Sequence, residues 1–195
     1  MTFMSAVRGS VRAQLLDGVL GFVRSAVKLI GVRRIALVGS IVTDRTDPKD
    51  VDLLVSVADG ADLAPLAALA RRLKGRAQSM NRGADVFLAD ERGNYLGRAC
   101  SWKTCQAGVR ASCDAQHCGR RAYLHDDLAT VRLSEALVSA PPLELWPVVV
   151  RRCAVPADVE LLVARLGEPH NNGIQAAAGA GARAGHKSSA LARRA

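Results

Sequence analysis

The sequence contains no long uninterrupted apolar run, no internal repeat and few acids where its basic residues are densest. Arg12, Asp17, Arg24 and Lys28 break up the apolar N-terminal segment, so no stretch is suited to spanning a bilayer. The same charges argue against a secretory leader. An Arg-bearing, acid-poor N-terminus leaves an organelle transit peptide open, but a first core helix accounts for it better, and the expected compartment is the cytoplasm, without membrane contact. No acid follows Glu168, whereas Arg183, Lys187, Arg193 and Arg194 all do, in a chain of formal charge +9. Such a balance favours polyanionic partners, nucleic acid or nucleotides. A biased composition with a basic tail is the plainer account of the same charge. At 195 residues the chain is long enough for one domain with a substantial core.

What is present reads in order as helix, strand, strand, helix, strand. Val11, Leu15, Leu16, Val19, Phe22, Val23, Val27 and Ile30 recur at spacings of three and four, which predicts an amphipathic helix over 11–30 closed by Gly31. Its charged residues, Arg12 included, are expected outside the apolar stripe. Ile35 to Val38 is a short buried strand ending on Gly39-Ser40. Thr43 to Lys49, rich in Thr, Asp and Pro, is a loop, and Asp50 to Val57 a second strand. Asp62 is placed to cap a helix from Leu63 to Leu73, closed by Gly75. Arg71, Arg72 and Lys74 crowd the end of that helix, where cations suit its dipole and can also meet phosphates. Ala84 to Ala89 is a third strand, with Asp85 near its start. The pattern predicts an α/β (α+β) domain, a small mixed sheet flanked by helices, with its carboxylates along one edge.

Those carboxylates are the informative residues. Side chains alternate along a strand, so Asp50 and Asp52 share one face while Val51, Leu53, Val55 and Val57 pack on the other. Neighbouring carboxylates repel, and a hard dication such as Mg²⁺ is the usual resolution. Gly39-Ser40 after one strand, Asp50-x-Asp52 on the next and Asp85 opening a later strand resemble the nucleotidyltransferase fold of the DNA polymerase beta superfamily, its small minimal members above all. The likeness spans roughly Ile35 to Asp90. It implies that Gly39 and Ser40 bind nucleotide phosphates and that Asp50, Asp52 and Asp85 are catalytic and hold Mg²⁺ or Mn²⁺. Many minimal members carry Arg-Gly directly after Gly-Ser, where this chain has Ile41-Val42-Thr43-Asp44.

From Tyr95 to Tyr123 the apolar periodicity fades and Cys100, Cys105, Cys113 and Cys118 appear as two pairs of matched spacing. Four thiolates in two short loops suit a structural Zn²⁺, with His117 as a substitute ligand; two disulfides and unlinked thiols are the alternatives. Arg92, Arg98, Lys103, Arg110, Arg120 and Arg121 face a single acid in this stretch, Asp114, and Trp102 adjoins Lys103. The element therefore reads either as a structural clip or as a basic platform for single-stranded nucleic acid, with the indole as a stacking surface. Arg120-x4-His125 has the spacing of a ribonuclease motif from helical partner proteins but lacks the long helix that motif sits on. Cys153 is expected to be a small buried residue.

The expected organisation is a nucleotidyltransferase-like core over 1–92, a Cys-rich zinc element over 93–125, helical and strand segments packing on the core over 126–167, and a disordered basic tail over 168–195. A short helix opens at Pro156-Ala157-Asp158 and ends at Gly167. The function the resemblance implies is transfer of a nucleoside monophosphate from an NTP to a hydroxyl on RNA, on a protein or on a small molecule. The alternative is a catalytically degenerate domain acting as a nucleic-acid- or partner-binding module. Membership of a toxin–antitoxin pair is a further analogy.

Overall fold

The computed structural model describes residues 9–105, 121–126 and 131–168. It is a mixed α/β fold built on one seven-stranded sheet, ordered β5-β4-β3-β2-β1-β6-β7. In chain order the elements are α1 (Val11–Ala26), β1 (Val32–Val38), a single 3₁₀ turn (Gly39–Val42), β2 (Asp50–Val57), α2 (Ala64–Gln78), β3 (Gly83–Ala89) and β4 (Tyr95–Ala99). β5 (Leu124–His125), α3 (Glu135–Ser139), β6 (Leu143–Trp146), β7 (Val150–Arg151) and α4 (Ala157–Gly167) complete it. β2 and β3 are parallel, as the crossover through α2 requires, and every other neighbouring pair is antiparallel.

Register sorts the side chains onto two faces. Ile35 and Leu37 of β1 lie opposite Val55 and Leu53 of β2, which lie beside Leu88 and Val86 of β3. These residues join Leu15, Val19 and Phe22 of α1, Leu66 and Leu73 of α2 and Val159 and Leu162 of α4 in the main core. Full burial of one such side chain contributes about 1.5–3 kcal/mol, so this layer holds the sheet and its three longer helices together. The opposite face carries a smaller cluster, Ala36, Val38, Leu54, Phe87, Ala89 and Val138, capped by α3 and the segment before it. Beyond that cluster the second face is polar at both ends. At one end the half-buried Arg34 and the buried Glu144 lie 3.7 Å apart, with Arg152 2.7 Å from the same carboxylate oxygen. At the other end lie Asp50, Asp52 and Asp85.

Several sequence expectations change here. α1 stops at Ala26 and Ile30 is 99% exposed, because the chain has already turned towards Gly31. α2 continues through Gly75 to Gln78: its buried stripe, Leu66, Leu69, Leu73 and Ala77, runs past the glycine, and burying Ala77 offsets the roughly 1 kcal/mol a mid-helix glycine costs. The sheet is larger than expected, because Tyr95–Ala99 and Leu124–His125, assigned from sequence to the Cys-rich element, are strands that extend it beyond β3. The Gly- and Arg-containing run of β4 and the two residues of β5 give no apolar alternation to read. The carboxylates consequently sit at one end of two central strands rather than along an outer edge. Cys153 is exposed, since it follows β7 at the sheet's margin. The proposed tail after Glu168 lies outside the described residues.

Arg12 is the largest departure from the helical-wheel reading. It is 7% exposed, and its Nη2 and Nη1 donate to the backbone oxygens of Ile41 (2.9 Å) and Arg45 (2.8 Å). Its Nε donates to Asp158 Oδ2 at 2.5 Å and its Nη2 to Asp158 Oδ1 at 3.1 Å. One guanidinium thus ties α1 to the turn after β1 and to the first turn of α4. The hydrogen bond from Arg12 holds the Asp158 carboxyl below the usual carboxylate range. Stability from that shift is present above the ordinary Asp pKa of about 3.9 and is lost as pH falls through the lowered value. Arg12→Ala removes the donor to the Ile41 and Arg45 carbonyls and to the partly exposed Asp158 carboxylate, and is expected to cost about 1–2 kcal/mol at pH 7 and less at pH 3. Urea unfolding at the two pH values checks this, and an equal loss at both contradicts it.

Candidate active site

Asp50, Asp52 and Asp85 are brought together by the parallel ladder. Asp52 of β2 pairs in register with Asp85 of β3, and Asp50 with Gly83. Val38, the last residue of β1, pairs with Asp52 from the other side, so the Gly39 turn begins against that carboxylate. Gly39 has φ +74, and a Cβ there would stand 2.5 Å from Asp52 Oδ2. Position 39 therefore needs glycine for its backbone conformation and for the room it leaves Asp52. Gly83 does the same for Asp50, whose Oδ1 occupies the space a Cβ would take.

The turn itself is firmly held. Thr43 donates through its amide (3.1 Å) and hydroxyl (2.7 Å) to the Ser40 carbonyl, while Arg12 holds Ile41 from beneath. Gly39 is exposed and Ser40 half-buried. Ile41 and Val42, standing where many minimal nucleotidyltransferases have Arg-Gly, are core residues at 0% and 4% exposure. The turn offers backbone to a ligand, and no cation.

The cations come from elsewhere. Lys74 Nζ of α2 and Arg98 Nη1 of β4 each lie 3.6 Å from Asp85 Oδ1. Arg98 pairs with Phe87 on one side and His125 on the other, so it lies in the row next to Asp85 on the carboxylate face. Lys74 approaches past the end of the β3–β4 ladder, which stops at the Phe87–Arg98 pair. The sequence places Lys74 among cations at the end of α2 that can meet phosphates, and Arg98 among the basic residues of the Cys-rich stretch; the fold is what joins both to Asp85.

Asp52 records the electrostatics. Burial first, then the charges of Asp85 and Asp50, push its pKa up to about 6. Three carboxylates at one end of the strands suit a hard dication in charge and chemistry. Among the described residues, no group of three or more His, Cys, Asp or Glu side chains is gathered closely enough to hold an ion as it stands. Asp52 leans to Gly39 and Asp50 to Gly83, and Asp85 is paired with its two cations. In the proposed zinc set, Cys100 is buried and Cys105 half-buried, while Cys113, Cys118 and His117 lie outside the described residues. His125 belongs to a strand, so the spacing Arg120-x4-His125 does not lie on a helix there. No described helix is long and apolar enough to cross a membrane.

The raised pKa has a measurable sign. Protonated Asp52 favours the folded state, and that contribution is complete below about pH 4 and lost as pH rises through about 6. In chelator-treated protein, Asp52→Asn is expected to raise stability at pH 8 by about 1–2 kcal/mol after solvent screening, and to change little at pH 4. Thermal denaturation across pH 4–8 tests this. A variant less stable than the parent at pH 8 would contradict it.

No curated protein and no solved structure matches the chain. A family model matches residues 3–122, more than half of the 195, and the matched segment runs from α1 through the Gly39 turn and all three carboxylates to the Cys-rich stretch. On that match the chain belongs to the Family of unknown function (DUF6932).

Proposed function

We propose that this protein is a nucleotidyltransferase that moves a nucleoside monophosphate from an NTP to an acceptor hydroxyl. The observation that carries the reading is the register of the central strands: Asp52 beside Asp85, with the exposed glycine turn packed on Asp52. Antiparallel β1–β2 followed by parallel β2–β3 puts a phosphate-approachable backbone and three carboxylates at one end of the sheet. In the reaction the acceptor oxygen bonds to the α-phosphorus and the bond to the α–β bridging oxygen breaks. Pyrophosphate leaves, and the hydroxyl proton is released to solvent. Gly39 and Ser40 receive the phosphates on backbone amides, and Arg12 keeps that turn from yielding when they bind. Asp50, Asp52 and Asp85 would hold Mg²⁺ or Mn²⁺, which when bound polarises the acceptor hydroxyl and neutralises the departing pyrophosphate. A structural Zn²⁺ on Cys100, Cys105, Cys113 and Cys118 would clip the segment after β4 beside this site.

A second reading has its own support. The buried Ile41 and Val42, and the cations already paired with Asp85, suit a domain that has lost catalysis and retains binding. The experiment separating the two incubates the protein with each α-labelled NTP, Mg²⁺ or Mn²⁺, total RNA and lysate. On the catalytic reading, label appears in an acceptor band, and Asp50→Ala/Asp52→Ala reduces it at least about a hundredfold. Absence of transfer with all four nucleotides, from folded protein, favours the binding module.

A further inference from the structure

The carboxylates have two flanks, and they differ in chemistry. On the β1 side lies the cation-free glycine turn. On the β4 side, where β3 outruns its ladder with β4, a cleft of about 90 Å³ opens beside Asp85. Lys74, Arg98, Ser101, Trp102 and His125 line it among the described residues. The indole is 45% exposed, and Trp102 is anchored through its carbonyl, which accepts 2.8 Å from Arg71 Nη1 on α2. The cleft therefore combines an exposed flat ring on an anchored backbone, two cations and a carboxylate.

We infer that this cleft receives the terminal nucleotide of a single-stranded nucleic acid, which makes that strand the acceptor. The inference rests on the nucleotidyltransferase reading for the word acceptor, and on the cleft alone for binding. An in-line displacement places the attacking and leaving oxygens on opposite sides of the phosphorus, so a triphosphate held at the Gly39 turn leaves the Asp85 flank for the acceptor. An acceptor bound there meets an indole suited to stacking a base and cations suited to its phosphodiester. A protein serine or a small alcohol would use neither. Lys74 and Arg98 lie 3.6 Å from Asp85 and line the same cleft, within reach of a phosphate bound there.

The test measures binding of a fluorescein-labelled single-stranded RNA 12-mer by full-length protein at about 0.15 M salt, where non-specific phosphate contacts are weakened. Binding of each Mg-NTP is measured in parallel. Trp102→Ala is expected to weaken the 12-mer about tenfold, with Trp102→Phe restoring most of it. Lys74→Gln and Arg98→Gln should each lower the salt slope by about one. Both Trp102 variants should bind Mg-NTP within about twofold of the parent and melt at similar temperatures. An oligonucleotide affinity indifferent to Trp102 and Lys74 overturns the inference. So does a parallel loss of Mg-NTP affinity, which would assign the cleft to the nucleotide instead. Failure of NMP transfer alone would leave the oligonucleotide result standing and remove only its role as acceptor.

Discussion

Three carboxylates held at one end of two adjacent strands repel one another, and the surrounding structure is arranged to hold them against that repulsion. The parallel β2–β3 register makes Asp52 and Asp85 neighbours, and no rotamer choice undoes a register. Two glycines without side chains, Gly39 and Gly83, make room for the carboxylates of Asp52 and Asp50. Lys74 and Arg98 offset the charge of Asp85. Arg12, buried under the turn, fixes the backbone against which Asp52 rests. Burial, then Asp85 and Asp50, leave Asp52 with a pKa pushed up to about 6, which costs stability at neutral pH.

The sheet's second face shows how the tension is confined. Its middle is apolar, with Leu54, Phe87 and Val138 packed together, and it separates two polar ends of opposite character. At the Arg34 end, the single acid Glu144 sits between two arginines, and Arg34 also donates to the backbone of α3. Charges there are matched and the helix is held down. At the Asp52 end acids outnumber the cations in contact with them, and no described helix covers the strands. A matched polar cluster and an acid-rich one thus occupy opposite ends of the same face.

Much of this was legible in the sequence because it depends on local pattern. The strand Asp50–Val57 was read to the residue, since a run of β-branched and aliphatic side chains between a Pro-containing loop and Asp59-Gly60 leaves little choice. Strand alternation puts Asp50 and Asp52 on one face, while Asp85 and the Gly39 turn are joined to them only through the resemblance to nucleotidyltransferases. What the sequence hid depends on tertiary partners. Arg12 looked like a solvated helix residue because nothing local announces that Asp158, far along the chain, will meet it. Lys74 and Arg98 are legible as cations in the sequence, but their convergence on Asp85 is not, because it depends on how α2 and β4 fold against β3. Charged residues take their roles from what folds against them, and pattern alone does not supply that.

The central claim is that Asp50, Asp52 and Asp85 form a divalent-metal site for a nucleotide on the Gly39 turn. Crystals soaked with Mn²⁺ and a non-hydrolysable NTP, measured for anomalous scattering, test it most directly. The account predicts a Mn²⁺ peak among the three carboxylates, with the triphosphate reaching from it to the amides of Gly39 and Ser40. Nucleotide density elsewhere, or Mn²⁺ absent from the carboxylates while Lys74 and Arg98 stay on Asp85, would contradict it.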